Sequence, residues 1–190
     1  MSVLKLPRTL RLDPSDTFVF AHPAEPGELA VTGSFLFVDV DPTALSAKER
    51  TAFRSGFVGV ESFGFSTLVV VSEASEAERE AATTALARHI HDKLGAPDLE
   101  TAQAAAREEI AVAASLCAPE VNTVIAMNRS LEKGELKERF RTLQRRATTP
   151  GADGLHAHAR AFTFVETDEP PEEAVDLLGL MQPEQDKVRP

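Results

Sequence analysis

Apolar residues recur with a strand-like period of two at both ends of the chain and with a helical period in its middle. Residues 4–12 predict a first strand. A long second strand is predicted over residues 28–40, where apolar and polar side chains largely alternate. The buried face of this second strand would carry Leu29, Val31, Phe35 and Phe37.

Two capping boxes mark the starts of helices in the middle of the chain. Ser46 with Glu49 begins a short helix that Gly56 would end, and Ser75 with Glu78 begins a longer helix. In such a box the serine hydroxyl accepts a backbone N–H of the first turn, and the glutamate accepts the N–H of the serine. The longer helix is predicted to reach about residue 94.

A second long helix follows at once, because residues 95–97 break the first one and Asp98 can cap the next. The two helices form an αα-hairpin with a short loop, and their many alanines let the two backbones approach closely. The apolar stripes would consist of Ala82, Leu86, Ile90 and Leu94 in the first helix and of Leu99, Ala102, Ala106, Ile110, Ala113 and Cys117 in the second.

Beyond the helices, residues 121–128 and 136–143 predict two strands joined by a turn at residues 133–134. A helix over residues 135–146 is the alternative, because apolar residues in that range also have helical spacing. We prefer the hairpin, whose second strand would alternate basic and apolar side chains. Its outward basic residues would be Lys137, Arg139 and Arg141.

Strands grouped on both sides of a helical pair indicate the α+β class, with a mostly antiparallel sheet and the αα-hairpin packed on one face. We predict a single α+β domain over residues 1–166, which closes with a strand over residues 156–166. Residues 167–190 are predicted to form an acidic tail with one short helix over residues 171–180.

The net charge of −10 argues against a nucleic-acid partner, because binding phosphates requires a high density of lysine and arginine. The charge is unevenly spread, however. Residues 129–146 contain seven basic and three acidic residues, whereas residues 166–190 contain eight acidic and two basic ones. This distribution is typical of a solvated basic strand near an acidic tail, and a docking surface for an acidic protein or an anionic ligand is the sharper interpretation.

The sequence predicts a cytoplasmic protein without a membrane partner. No apolar run approaches the roughly 18 residues of a membrane span, and the N-terminus lacks the apolar core of a secretory signal. The single cysteine, Cys117, cannot form an internal disulfide and suits a reducing compartment. A protein partner and a homo-oligomer both stay open, since a sheet edge or an apolar patch could serve either.

The glycine- and phenylalanine-rich segment over residues 53–71 is the strongest candidate for a functional feature. Glycines inside strands mark a bulge, a bend or the close approach of another group, and aromatics around them indicate burial or a partner. A carboxylate there would have a shifted pKa if it were buried, whereas a turn would leave it in water. The candidate pocket residues are Phe57, Glu61, Ser62, Phe63 and Phe65.

No catalytic or cofactor motif is present, so we predict no catalytic residue and no cofactor. His156 and His158 would share one face of a strand and could bind a metal together, although a pair of surface histidines is the ordinary interpretation. Cys117 is expected to be a buried structural thiol. Glu108 and Glu109 point about 100° apart on a helix, so they cannot converge. Exposed charges are the ordinary interpretation; at most one of the two would face inward beside Ile110, where it would need an arginine partner or a raised pKa.

Four stretches together carry a resemblance to a known family. They are TLRLDPSDTFVF (residues 9–20), FRSGFVGVESFGFSTLV (residues 53–69), GAPDLETAQAAAREEIAVAASLC (residues 95–117) and ERFRTL (residues 138–143). Over roughly residues 8–145, the chain resembles a family of small alphaproteobacterial proteins known only as a domain of unknown function. The resemblance implies no activity, substrate or site residue. The excess of arginine over lysine, 14 against 6, is compatible with a high-GC bacterial source.

Two functional hypotheses from different classes follow. The first is a non-catalytic accessory or binding protein that docks onto a bacterial enzyme or a cofactor-handling partner, with the basic strand making the salt-dependent contacts. The second is a small-molecule-binding protein or an enzyme, with or without a metal, whose pocket lies beside residues 53–71. The lack of a catalytic motif favours the first hypothesis.

Overall fold

The structure, a computed structural model, describes residues 3–143. Its strands are β1 (Lys5–Leu10), β2 (Ala30–Val31), β3 (Phe57–Gly59), β4 (Phe65–Ser66), β5 (Leu68–Glu73), β6 (Val124–Glu132) and β7 (Glu135–Leu143). Its α-helices are α1 (Ser15–Val19), α2 (Ala47–Ser55), α3 (Glu76–Leu94) and α4 (Leu99–Ser115), and Ser34–Phe37 forms a 3₁₀ turn. None of these helices within residues 3–143 is both long and apolar enough to cross a bilayer.

The strands pair in two antiparallel sheets, which together with the helices confirms the α+β class. One sheet has the strand order β1-β5-β6-β7, and the other has the order β2-β3-β4. An antiparallel bridge between Arg8 and Leu29 links β1 to the segment that leads into β2. Within residues 3–143, β7 has β6 as its only strand neighbour and therefore forms an edge of the four-stranded sheet.

Strands β2 and β3 lie between β5 and β6 on one side and the helical pair on the other, and Leu6 of β1 also packs against the helices. Successive side chains of a strand point to opposite faces, so Ala30 and Phe57 point one way while Val31 and Val58 point the other. Ala30 and Phe57 pack with apolar residues of β5 and β6 and with Cys117, whereas Val31 and Val58 pack against α3 and α4. The prediction of a helical pair on one face of a sheet is confirmed.

The predicted helix starts are confirmed. Capping boxes form at the starts of α2 and α3, and Asp98 caps α4 by accepting the backbone N–H of Thr101. The predicted apolar stripes are buried except beside the loop between the helices, where Leu94 is 45% exposed and Leu99 is 48% exposed. The helical hairpin therefore packs tightly along its length and opens to solvent at its tip.

The prediction of a long strand over residues 28–40 is wrong. Only Ala30–Val31 form a strand, and the chain then turns at Gly33, whose φ of +77° is left-handed, into the 3₁₀ turn. A side chain at residue 33 would collide with Val58, so this position needs glycine for space as well as for conformation. Phe37 consequently reaches the core from a turn instead of from a strand.

The hairpin at the end of the described chain is confirmed, and a helix over residues 135–143 is excluded. Strands β6 and β7 pair in unbroken register from Val124 with Leu143 to the turn. Lys133 and Gly134 both have positive φ, as a two-residue hairpin turn requires. Lys137, Arg139 and Arg141 are exposed on the outward face of β7, as predicted, and Glu135 is exposed beside them.

The remaining predictions concern residues that lie outside the described part of the chain. They are the strand over residues 156–166 with His156 and His158, the domain boundary at residue 166, and the tail over residues 167–190 with its helix over residues 171–180. These stay predictions.

Candidate functional site

The five candidate pocket residues of the glycine- and phenylalanine-rich segment do not line one pocket. Phe57 is fully buried between the two sheets. Phe65 packs on Phe20 and Phe37, with ring centroids 5.7 and 6.2 Å away. Glu61 is exposed, as expected for a turn in water. The five candidates therefore divide between the core, which holds Phe57 and Phe65, and the turn between β3 and β4.

Two glycines of this segment lie where other groups come too close for a side chain. A Cβ at Gly59 would overlap the carboxylate of Glu28, and a Cβ at Gly64 would lie 2.5 Å from the carbonyl oxygen of Pro23. Contacts this short do not occur between real atoms of these types, so a side chain at either position would force a neighbouring group to shift. Of the three alternatives predicted for such glycines, the close approach of another backbone applies at Gly64, whereas a side chain approaches Gly59.

A buried carboxylate that was not predicted, Glu28, organises the turn. Its Oε2 accepts the backbone N–H groups of Glu61 and Ser62 at 2.8 and 2.9 Å. Its Oε1 accepts the N–H of Glu25 at 2.7 Å and the hydroxyl of Ser62. Glu28 is 8% exposed, and four donors satisfy its oxygens without a cation. Its signal in the sequence was weak, because a lone glutamate before an apolar strand is typical of a surface residue.

Two histidines hold the outer side of the same turn. Nε2 of His22 lies 3.0 Å from the carbonyl oxygen of Ser62, and Nε2 of His89 lies 2.9 Å from that of Glu61. The ring of His89 also stacks on Phe63, with 4.6 Å between the centroids. Phe63 is thereby tied to α3, and both imidazoles anchor the backbone of the turn.

A cleft of about 350 Å³ opens beside this turn. Its charged lining consists of Arg8, Glu25, Glu28, Glu61 and Glu78. Arg8 donates to Glu78 at 2.6 Å and to the carbonyl oxygen of Gly27 at 3.1 Å. Because Arg8 and the buried Glu28 both have partners in the protein, the cleft presents exposed carboxylates without a positioned acid–base pair in its described lining.

The largest fully buried side chain belongs to Arg129 on β6, which is 1% exposed. Its guanidinium donates to the carbonyl oxygens of Phe53 and Thr32 at 2.8 and 2.6 Å. It also pairs with its cross-strand neighbour Glu138 at 2.8 Å and lies 5.0 Å from the ring centre of Phe37. One side chain thus joins β6 to β7, to the end of α2 and to the segment that follows β2.

Glu109 on α4 is half-buried near this ion pair. Burial raises the pKa of Glu109 to about 7, the carboxylates of Glu138 and Glu108 act in the same direction, and Arg129 opposes them. Glu108 is the exposed charge that was expected, and Glu109 follows the alternative of one inward glutamate with a raised pKa. An acid of this kind changes its charge near neutral pH.

Glu109→Gln is expected to raise the stability of the protein more at pH about 8 than at pH about 5. The folded-state pKa of about 7 lies above the ordinary value of 4.5. As the pH rises through this window, the unfolded chain releases the proton first, so the wild-type protein loses stability that the glutamine variant keeps. Thermal unfolding of both proteins at the two pH values measures the difference. Glu100→Gln on the same helix is the control. A stability difference between Glu109→Gln and wild type that is equal at both pH values would contradict the prediction.

The outer face of the four-stranded sheet, opposite the buried Val69 and Ile125, combines apolar and basic side chains. The register places Leu68, Ala126 and Arg141 in one cross-strand row and Val70, Val124 and Leu143 in the next. The half-buried members Leu68, Val70, Ala126 and Leu143, here called the apolar strip, lie outside the core clusters of residues 3–143. The apolar strip therefore adjoins the edge strand that carries the basic residues.

The three predicted docking residues form a basic row along this edge, defined as Lys137, Arg139 and Arg141. Lys137 and Arg139 each lie 3.2 Å from a carboxylate oxygen of Glu132, and Arg141 lies opposite Ala126. Exposed ion pairs of this kind contribute little to stability, because water and salt screen them. Glu135 is exposed on the same face and lies opposite Glu132, so three cations against two carboxylates leave this edge with a net charge of +1.

A second groove of about 420 Å³ lies at the tip of the hairpin. It is lined by Phe37, Val38, Asp39, Val40, Asp41, Leu131, Gly134 and Leu136. Its charged residues are the two aspartates, which gives it the opposite sign to the basic row. The hairpin therefore carries two surfaces of different chemistry.

The described residues offer no metal site and no activated thiol. Within residues 3–143, no group of three or more His, Cys, Asp or Glu side chains could hold a metal ion. His156 and His158 lie outside this range. Cys117 is 2% exposed, and burial raises its pKa to about 11, so it is the buried structural thiol that was predicted.

A family model described as "Family of unknown function (DUF6505)" matches residues 3–161 of the chain. No curated protein and no solved structure matches the chain. The matched range includes all of residues 3–143, so Glu28, Arg129 and the basic row all lie inside the family region.

Proposed function

The chain belongs to the family of unknown function DUF6505, and we propose that it acts as a non-catalytic accessory protein that docks onto an acidic surface of a protein partner. The observation that carries the proposal is the basic row beside the apolar strip on the outer face of the four-stranded sheet. The partner would be an enzyme or a cofactor-handling protein. We place the pair in a bacterial, alphaproteobacterial cytoplasm, which the arginine-rich composition and the single buried thiol support.

The two parts of this face would contribute differently to binding. Apolar area provides affinity when it leaves water, while charges at the rim of an interface mainly accelerate association and fix orientation. The apolar strip is half-buried and can lose further solvent contact, and the basic row is exposed at the sheet edge. A partner with carboxylates beside an apolar patch fits this arrangement.

A small-molecule function at the cleft beside Glu61 is the second candidate. Its favouring observation is the volume of about 350 Å³ next to the glycine- and phenylalanine-rich segment. The exposed carboxylates of its lining would suit a cationic ligand. We rank it below docking because Arg8 and Glu28, the groups best placed for chemistry, already have partners in the protein.

Reversing the basic row with Lys137→Glu, Arg139→Glu and Arg141→Glu is expected to slow association with the acidic partner by about tenfold to a hundredfold at low salt. The partner is first captured from a bacterial lysate and identified, and its association rate is then measured with purified proteins. Raising the salt to about 1 M, where the screening length falls to about 3 Å, should reduce the difference between wild type and variant.

The matched control reverses three exposed cations elsewhere, with Lys48→Glu, Arg54→Glu and Arg88→Glu. It changes the net charge by the same amount and leaves the outer sheet face intact. Equal loss of association in both triple variants would show that only net charge matters and would refute docking through the basic row. Retained association in the basic-row variant would refute it as well.

A further inference from the structure

We propose that the acidic C-terminal segment of this chain, residues 167–190, docks on the outer face of the four-stranded sheet and occupies it until the partner displaces it. The inference deepens the proposed function and rests on it, since it names the competitor for the same face. It assigns the basic row and the apolar strip an occupant within the same molecule.

The composition of this segment matches the face in both respects. Residues 167–181 contain no basic residue. Their acidic residues are Asp168, Glu169, Glu172, Glu173 and Asp176, and their large apolar residues are Val175, Leu177, Leu178, Leu180 and Met181. Carboxylates followed closely by leucines complement a row of three cations beside four half-buried apolar side chains.

The connection from the sheet to the segment is long enough. The described chain leaves the sheet at Leu143, which itself belongs to the apolar strip, and Asp168 follows 25 residues later. A stretch of this length can span at most roughly 85 Å, while the basic row from Lys137 to Arg141 extends about 14 Å along the strand. Tethering also raises the effective concentration of the segment at the face to about the millimolar range, so a weak contact suffices.

The other candidate surfaces repel an acidic segment. The groove at the hairpin tip carries Asp39 and Asp41, and the cleft beside Glu61 is lined by four glutamates. Of the three surfaces described above, the outer sheet face is the one with an excess of positive charge. Charge therefore selects the face, and the apolar strip gives the contact its area.

A spin label on the segment of the full-length protein tests the proposal. Gln182→Cys introduces the attachment site without changing the charge, and Cys117 stays unlabelled because it is buried and its pKa is raised. We expect the label to broaden the amide signals of residues 139–141 and 126–128 severalfold more than those of α3. High salt and the triple reversal of the basic row should each abolish this pattern. Combining that reversal with Glu172→Lys, Glu173→Lys and Asp176→Lys should restore it.

The outcomes separate this inference from the proposed function. Uniform broadening that is unaffected by salt would overturn docking of the segment, while partner association that still depends on the basic row would leave the proposed function standing. Broadening that grows with protein concentration would identify a second copy of the chain as the occupant and would also overturn the inference. If the segment docks, its triple charge reversal should accelerate partner association, and an unchanged rate would refute the competition.

Discussion

Arg129→Met is expected to lower the free energy of unfolding by about 3–5 kcal/mol, the cost of removing one partner from a buried ion pair. The methionine fills much of the volume but donates no hydrogen bond. It leaves the carbonyl oxygens of Phe53 and Thr32 without their donor, and it leaves the carboxylate of Glu138 without its cation. Chemical denaturation of wild type and variant measures the loss.

A double-mutant cycle with Glu138 separates the ion pair from the two carbonyl contacts. Glu138→Gln alone is expected to cost less, since its side chain is partly exposed and the amide oxygen still accepts one hydrogen bond. Combining Arg129→Met with Glu138→Gln removes the unpaired charge, yet the carbonyl oxygens of Phe53 and Thr32 stay unsatisfied, so the double variant should remain less stable than wild type. Arg139→Met on the exposed face is the control, with an expected change within about 0.5 kcal/mol. A similar loss in both arginine variants would contradict the structural role of Arg129.

The helical pair could be predicted from the sequence because its signals are local. A capping box or an aspartate cap fixes each helix start through groups within one turn, and Gly95 ends α3 in a left-handed conformation. The hairpin of β6 and β7 was equally accessible, since alternation on both strands agrees with a two-residue turn at Lys133–Gly134. Local chemistry and tertiary packing favour the same structure in these elements.

The prediction of a strand over residues 28–40 was wrong for the opposite reason. Their alternation is that of a strand, but the space beside Val58 admits only glycine at residue 33, and the chain must turn there. Arg129 then bonds the carbonyl oxygen of Thr32, which a continuing strand would have offered to a neighbouring strand. The deciding contacts come from residues 25 and 97 positions away along the chain, and no local pattern reveals them.

The sequence did contain a signal for the burial of Arg129. It continues the alternation of Ile125 and Met127, so extending the strand past residue 128 places a guanidinium on the buried face. Counting Arg129 among the basic residues of 129–146 concealed its burial, because composition does not distinguish a buried cation from an exposed one. The basic row was found because its residues stand at every second position of a strand whose other face carries Leu136 and Phe140.

The glycine- and phenylalanine-rich segment was the strongest candidate from the sequence, and within residues 3–143 most of its aromatics pack in the core. The aromatics that suggested a pocket are spread over separate clusters, and its exposed carboxylate, Glu61, meets water. The turn of this segment depends on the buried Glu28, which lies outside the segment and accepts hydrogen bonds from the backbone N–H groups of the turn. The second large prediction concerns this contact.

Glu28→Gln is expected to lower the free energy of unfolding by about 3 kcal/mol. The carboxylate accepts hydrogen bonds from the N–H groups of Glu25, Glu61 and Ser62 and from a hydroxyl. An amide offers one oxygen in place of two and turns its own N–H₂ group toward these donors, so at least one buried donor loses its acceptor. Glu61→Gln, on the exposed side of the same turn, should change the stability by no more than about 0.5 kcal/mol.

Gly59 provides an independent check on the same contact. Gly59→Ala places a methyl group against the Glu28 carboxylate and should destabilise the wild-type protein, because the turn must move to admit it. In a Glu28→Ala background the space is open, so the same substitution should cost about 0.5–3 kcal/mol less. Denaturation of the two single variants and the double variant gives this coupling. Additive effects would mean that the Glu28 carboxylate does not limit the space at residue 59, and the account of Glu28 as the organiser of the turn would then fail.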